Sequence, residues 1–231
     1  MPSAAVFGST GLVGSYILSN LLKGEQTFQR VYTISRRPPK VTAPHLHAIV
    51  DPDTTQWPAR LAAIQPPPDV VISALGTSTA RAGSIAAQWK IDHDLNVDLI
   101  HAARSAGARV FVFISSAGTR GLGGWTPYAR MKQGVEDAIR AKDFPSAGVV
   151  LRPPFLVGER EEPLRGEWLL STVFHGVGRL LPQAGRDMIH QRAEVVARAA
   201  VQAAKVAEGG KAPARYWVLE SREIGRLGRE Q

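Results

Sequence analysis

The chain has 231 residues, 44% of them hydrophobic and 21% charged, which is enough to bury a sizeable core without a partner. It contains no cysteine, which excludes disulfides, thiolate metal sites and cysteine nucleophiles, and no apolar run approaches the roughly 20 residues of a membrane span. The formal charge of +8 is scattered, mainly as Arg, so no specific nucleic acid is expected as partner, and a polyphosphate ligand or an anionic membrane surface suits it better.

In chain order, the first apolar stretch, residues 4–7, reads as a strand rather than a cleaved presequence. The string Gly8-Ser9-Thr10-Gly11-Leu12-Val13-Gly14 follows it and opens a helix predicted over 11–22. This is the context of a dinucleotide loop. Gly8 permits the tight turn, Gly11 lets backbone approach a pyrophosphate, Gly14 lets the helix lie close to the sheet, and the helix N-terminus offers free N–H groups. A glycine-rich βα turn with no ligand is the alternative. A second strand, 31–35, ends in Ser35-Arg36-Arg37, where an NAD site would carry an acid for the ribose 2′-hydroxyl. Two guanidinium groups suit a 2′-phosphate instead, so the expected cofactor is NADP(H); a solvated basic loop is the competing reading. His45 and His47 flank a third strand at 47–50 but match no zinc pattern, and no metal is expected. Asp51, at its end, is a candidate for the adenine side. Pro52 to Pro58 and Pro66-Pro67-Pro68 read as rigid connections to a fourth strand at 70–74. Leu75-Gly76-Thr77 follows at the edge where ligands approach a wound sheet.

A long helix is predicted over 84–106, with His93 and His101 at its surface or satisfied by hydrogen bonds. A fifth strand, 110–115, ends in Ser115-Ser116, and a helix over 127–141 carries Tyr128 and Lys132 on one face. A phenol is a poor proton-transfer group near neutrality unless a cation stabilises the phenolate, and Lys132 can supply that cation. A serine hydroxyl at the strand end can orient a carbonyl oxygen while Tyr128 moves the proton. Taken alone, Tyr-x-x-x-Lys is also what an ordinary amphipathic helix shows. A sixth strand at 149–151, a helix over 192–206 and a last strand at 216–219 complete the pattern. Residues 153–192, with Trp168 and Phe174, have no clean period and are expected to form a substrate lobe or lid. Alternating strands and helices predict an α/β fold, a doubly wound parallel sheet of Rossmann type, in one domain spanning 1–231.

These motifs together resemble the short-chain dehydrogenase/reductase superfamily in its extended or atypical branch: Gly8, Gly11, Gly14, Ser116, Tyr128 and Lys132 occur in family order. Ile34 to Arg37, Leu75 to Thr77, Lys90 to Asp94, Leu151-Arg152-Pro153, Gly158-Glu159-Arg160 and Arg165 to Leu169 resemble more narrowly a subgroup containing the human Tat-interacting oxidoreductase and fungal proteins of the mitochondrial outer membrane. The resemblance implies NADPH held by the glycine loop, the arginine pair and residues 75–77, with Tyr128 and Lys132 on the nicotinamide ribose. It also implies that Pro153, Phe155 and Leu156 flank the nicotinamide. Ser116 fits the spacing of extended members and Ser115 that of shorter ones, and Asp92 stands where many members carry Asn. The expected function is an NADP(H)-dependent oxidoreductase acting on a small carbonyl or alcohol. Its rivals are a non-catalytic NADPH sensor or protein-interaction module, and a redox-neutral isomerase or dehydratase. The expected location is cytoplasmic or peripheral on the mitochondrial outer membrane.

Overall fold

A computed structural model of the chain describes residues 2–23, 28–121, 124–157 and 190–229. Its strands are β1 (Ser3–Phe7), β2 (Arg30–Ser35), β3 (Leu46–Val50), β4 (Val70–Ser73), β5 (Val110–Ile114), β6 (Ala147–Leu151), β7 (Phe155–Val157), β8 (His190–Arg192) and β9 (Tyr216–Leu219). Its α-helices are α1 (Leu12–Leu22), α2 (Trp57–Ala62), α3 (Thr79–Ala82), α4 (Ile85–Trp89), α5 (Leu95–Ala106), α6 (Pro127–Lys142), α7 (Ala193–Glu208) and α8 (Ser221–Leu227). Seven strands form one parallel sheet in the order β3-β2-β1-β4-β5-β6-β9.

Parallel pairing needs crossovers, and the crossovers cover both faces of the sheet, so the central strands are apolar without alternation. Ala4 and Val6 face one layer, built on α1 and α7, while Ala5 and Phe7 face the other, built on α2, α5 and α6. α7 buries Ala193, Ala197, Ala200 and Ala204 against the first layer, and these small side chains let it run close along α1. Phe111 and Phe113 are fully buried in the second layer, where truncating such a ring typically costs about 3–5 kcal/mol. The strand order reverses direction between β1 and β4, and the register Phe7 to Ser73 brings the two strand ends level. That switch point is where a wound sheet opens a crevice for ligands.

Three local features differ from the sequence expectation. The helix expected over 84–106 is interrupted by a π turn at Lys90–Asp94, and Asn96 Nδ2 donates to Ile91 O and Asp92 O, both at 3.2 Å, satisfying carbonyls in the widened turn. Ser73 Oγ donates to Asn96 Oδ1 at 2.6 Å, which ties the turn to β4. The proline-rich connection contains α2, with Pro58 in its first turn, where a missing N–H is harmless, and the Trp57 indole donating to Asp51 O at 3.0 Å. The segment read without elements contributes a two-stranded parallel ribbon of β7 and β8. The positions Gly158 to Arg160, Arg165 to Leu169 and Phe174 lie outside the described residues.

Candidate cofactor site and active site

Gly8 leaves β1 with φ +77°, and a Cβ there would sit 2.7 Å from Ala74 O, so the turn requires a residue without a side chain. A Cβ at Gly14 would overlap the Gly8 carbonyl, which lets α1 start against the strand end. Gly11 is the N-cap of α1 and makes no side-chain cap bond, and the first turn carries no acidic residue. The opening N–H groups stand at the positive end of the helix dipole, an arrangement that favours anions. This arrangement fits the pyrophosphate of a dinucleotide.

A cavity of about 390 Å³ opens beside it. Thr10 to Val13, Ser15, Tyr16, Arg37, Ala74 to Ser78 and Arg81 wall one part, and Asp92, Ile114, Ser115, Tyr128, Lys132 and Leu156 wall the rest. A second cavity of about 340 Å³ shares Thr10, Ser15 and Arg37 and is completed by Ser9, Lys40 and the Pro38-Pro39 turn. Ser35 Oγ donates to Arg37 O at 2.7 Å, fixing the bend after β2.

Lys132 is buried, its Nζ donating to Ile114 O at 3.3 Å and lying 4.7 Å from the centre of the Phe113 ring. Gly76 lies beside it, and a Cβ there would stand 3.7 Å from Nζ, an ordinary contact. Tyr128, one turn earlier on α6, is 42% exposed and meets the cavity at its mouth. Asp92 is fully buried in the π turn; its Oδ1 accepts from the Thr77 N–H at 2.7 Å and its Oδ2 from Gln88 Nε2 at 3.2 Å. Burial pushes this carboxyl up, against the Lys132 charge and those two hydrogen bonds, which favour the ionised form. The loop after β4 is thereby pinned to the π turn.

Ser115 also reaches the wall, with its Oγ donating to Glu136 Oε1 at 2.6 Å. Glu136 is fully buried one turn beyond Lys132 and accepts from Arg152 Nε at 3.1 Å, Arg152 Nη2 at 2.6 Å and Arg120 Nε at 3.2 Å. Burial alone would raise its carboxyl, and the bonds from Arg152, Ser115 and Arg120 more than offset that, holding it below the usual range. Arg152 spans onward to Glu220 at 2.8 Å.

Of the residues singled out in the sequence, Thr10, Gly11, Leu12, Val13, Arg37, Leu75, Gly76, Thr77, Ser115, Tyr128, Lys132 and Leu156 share the larger cavity. Gly8 and Gly14 shape the turn behind it, and Ser9, whose Oγ is hydrogen-bonded to Thr33 Oγ1, lines the smaller one. Arg36, Asp51, Ser116, Pro153 and Phe155 line neither. Asp51 instead accepts from Arg60 Nε and the Asp53 N–H, each at 3.0 Å, and Pro153 O takes the Ala117 N–H at 2.7 Å. Arg37 and Ser115 line the larger cavity, and Arg36 and Ser116, each one residue away, line neither. His47 stacks on Tyr32 at 5.0 Å, and among the described residues no group of His, Asp and Glu is placed to hold a metal. Glu136 escaped the sequence reading, although its spacing of four from Lys132 puts it on the same helix face.

The NAD dependent epimerase/dehydratase family is matched over residues 4–216. The chain belongs to that family. Two similar relatives are a Chaetomium globosum protein named FMP52, mitochondrial, 52% identical over all of this chain and 99% of the relative, and Neurospora crassa fmp-52, mitochondrial, 53% identical over 99% and 96%. Among solved structures, MoeE5 in complex with UDP-glucose and NAD superposes with a TM-score of 0.68 at 17% identity, covering 99% of this chain and 81% of its own. The UDP-Glc/GlcNAc 4-epimerase of Campylobacter jejuni gives 0.69 at 14% identity, covering 98% and 82%. At such identities the likeness is one of fold, and the doubly wound parallel sheet expected from the sequence is the one observed. The relatives carry mitochondrial names, and no helix among the described residues is long and apolar enough to cross a membrane.

Proposed function

We propose that the chain is an NADP(H)-dependent oxidoreductase acting on a carbonyl or alcohol. One observation carries the reading: a single cavity is walled by the uncapped start of α1 and Arg37 and also by Tyr128, Lys132 and Ser115. The opening N–H groups of α1 would hold the pyrophosphate, and Arg37, which reaches both cavities, would hold the 2′-phosphate in place of the expected pair. Lys132 and Tyr128 would also contact the nicotinamide ribose. When bound, the nicotinamide supplies the hydride acceptor or donor. Tyr128 carries the proton to or from the substrate oxygen, and Lys132 lies one turn further along the same helix on the same cavity wall. Of the two serines that the spacing left open, Ser115 is the one that stands on the wall, and it orients the substrate oxygen. The mitochondrial names of the relatives and the basic surface support a peripheral position on the mitochondrial outer membrane.

The test is binding followed by turnover. Arg37→Ala should weaken NADPH by about 10- to 100-fold, the worth of charge-assisted bonds, and leave NADH nearly unchanged. Equal losses for both cofactors sink the NADP assignment. Tyr128→Phe should abolish NADPH oxidation with a carbonyl panel while retaining cofactor. The family supports a second reading, a redox-neutral epimerase or dehydratase using the same residues. Net cofactor oxidation by the wild type excludes it.

A further inference from the structure

A protein kinase recognises a serine or threonine by charge and apolar contact at fixed offsets from the hydroxyl, on a segment that its cleft can hold extended. An Arg stands three residues before a Ser or Thr at two places in this chain, Arg30 before Thr33 and Arg81 before Ser84. Thr33 is fully buried in β2 and hydrogen-bonded to Ser9, so no enzyme reaches it in the folded protein. Ser84 stands instead in the turn between α3 and α4. Gly83 closes α3 with φ +88°, and nothing lies within 4 Å of a would-be Cβ there. Ser84 follows in extended backbone, its exposed Oγ accepting from the Ala87 N–H at 3.0 Å, and Ile85 directly after it is 52% exposed. α3 has four residues, a single turn too short to be stable by itself, so residues 79–85 open at little cost into the shape a kinase requires.

We propose that Ser84 is a phosphorylation site for an arginine-directed serine kinase, and that its phosphate weakens anion binding in the larger cavity. Arg81 supplies the cation three residues before the acceptor, and Ile85 supplies the apolar contact after it. In the transfer, Ser84 Oγ attacks the γ-phosphorus of ATP. The Ser84 O–P bond forms as the bond from that phosphorus to the β–γ bridging oxygen breaks, ADP leaves, and the hydroxyl proton passes to the catalytic aspartate of the kinase. The product carries close to two negative charges where a neutral hydroxyl stood. Ser78, the N-cap of α3, and Arg81 both line the larger cavity, so the new charge arises next to the segment that walls it. It repels an anion in that cavity and competes with it for the Arg81 charge. Only this second half rests on the proposed function, through the dinucleotide used to read it.

The full-length folded protein, incubated with ATP and a constitutively active calmodulin-dependent kinase, which reads Arg three residues before its serine, should take up a single phosphate, located at Ser84 by mass spectrometry. Ser84→Asn keeps a capping side chain at the start of α4 and should take up none. Arg81→Ala should slow the transfer about tenfold, the worth of a hydrogen bond between charged groups. No incorporation, a phosphate at another residue, or transfer to Arg81→Ala as fast as to the wild type overturns the site. For the second half, the phosphorylated protein should hold NADPH and NADH about fivefold more weakly than the unmodified protein at low ionic strength, with the difference shrinking in high salt. Unchanged affinities at low ionic strength overturn the effect on the cavity. A protein that takes the phosphate at Ser84 yet holds neither dinucleotide before modification refutes the cofactor reading, and with it the effect on binding, and leaves the modification site standing.

Discussion

Replacing Gly8 with Ala isolates how the dinucleotide turn is built. Two costs follow from the structure. Gly8 has φ +77°, a conformation that costs an L-residue about 1–2 kcal/mol. Its new Cβ would meet Ala74 O at 2.7 Å and Ala74 C at 2.8 Å, and since these are backbone atoms of the β4 end, nothing flexible can yield. Overpacking of this kind costs about 1–3 kcal/mol, and the reduced freedom of the unfolded chain returns about 0.4–1 kcal/mol. The net loss should be about 3 kcal/mol, or roughly a 6–12 °C fall in Tm for a chain of this size. Gly83→Ala is the control, because Gly83 has φ +88° with nothing within 4 Å of its would-be Cβ, so it carries the backbone cost without the collision. Circular-dichroism melts and urea titrations of both variants separate the two terms. If Gly8→Ala is no more destabilising than Gly83→Ala, the close approach of β1 and β4 does not constrain this turn and the reasoning fails.

Three other outcomes are expected. Glu136→Gln removes one partner of a buried ion pair and should cost about 3 kcal/mol near neutral pH. Because the folded carboxyl lies below its ordinary 4.5, that contribution is present above the unfolded value and lost as pH falls through the lower folded one, so urea titrations of wild type and variant should converge only below about pH 4.5. Asp92→Ala releases the Thr77 N–H, whose hydrogen exchange should accelerate about tenfold, the worth of a bond to a charged acceptor, while amides in β5 keep their protection. Ser116→Ala should leave NADPH affinity and any carbonyl turnover within about twofold, because removing a hydroxyl that lines neither cavity takes nothing from a bound ligand; a tenfold loss would return the catalytic role to Ser116.

The sheet was legible because its central strands are buried on both faces, and burial writes itself into the chain as short runs of Val, Ile and Phe. The glycine loop was legible for a related reason: Gly8 and Gly14 stand where backbone meets backbone, and no other residue fits. What escaped the sequence was decided by single-residue shifts or by tertiary partners. Arg36 and Arg37 are the same residue type, and only Arg37, whose carbonyl is held by Ser35 in the bend, lines the cavities. Ser115 and Ser116 pose the same ambiguity at the end of β5. The π turn at Lys90–Asp94 has no proline or glycine to announce it; its signal is Asn96, whose side chain serves two carbonyls of the turn. α2 was hidden by Pro58, a helix breaker in an interior position and a helix former in the first turn.

Spacing along α6 carries the deeper lesson about the site. Tyr128, Lys132 and Glu136 fall on one face at intervals of four, and their exposure drops from 42% to 4% to zero as the helix descends against the sheet. Each position can then carry only certain chemistry. A phenol at the mouth can exchange protons with solvent and ligand. The Lys132 amine at the wall donates to Ile114 O and lies over the Phe113 ring, an acceptor and a π face that suit a donor and would repel a carboxylate. A carboxylate one turn deeper is tolerable only because Arg152 and Arg120 meet it there. The motif Tyr-x-x-x-Lys is therefore the visible part of a longer gradient, and its buried third member accepts the hydrogen bond of Ser115. Exchanging Lys132 and Glu136 would preserve composition and helix propensity yet leave Arg152 facing an ammonium, so the order of the charges along the helix, more than their presence, is what the fold requires.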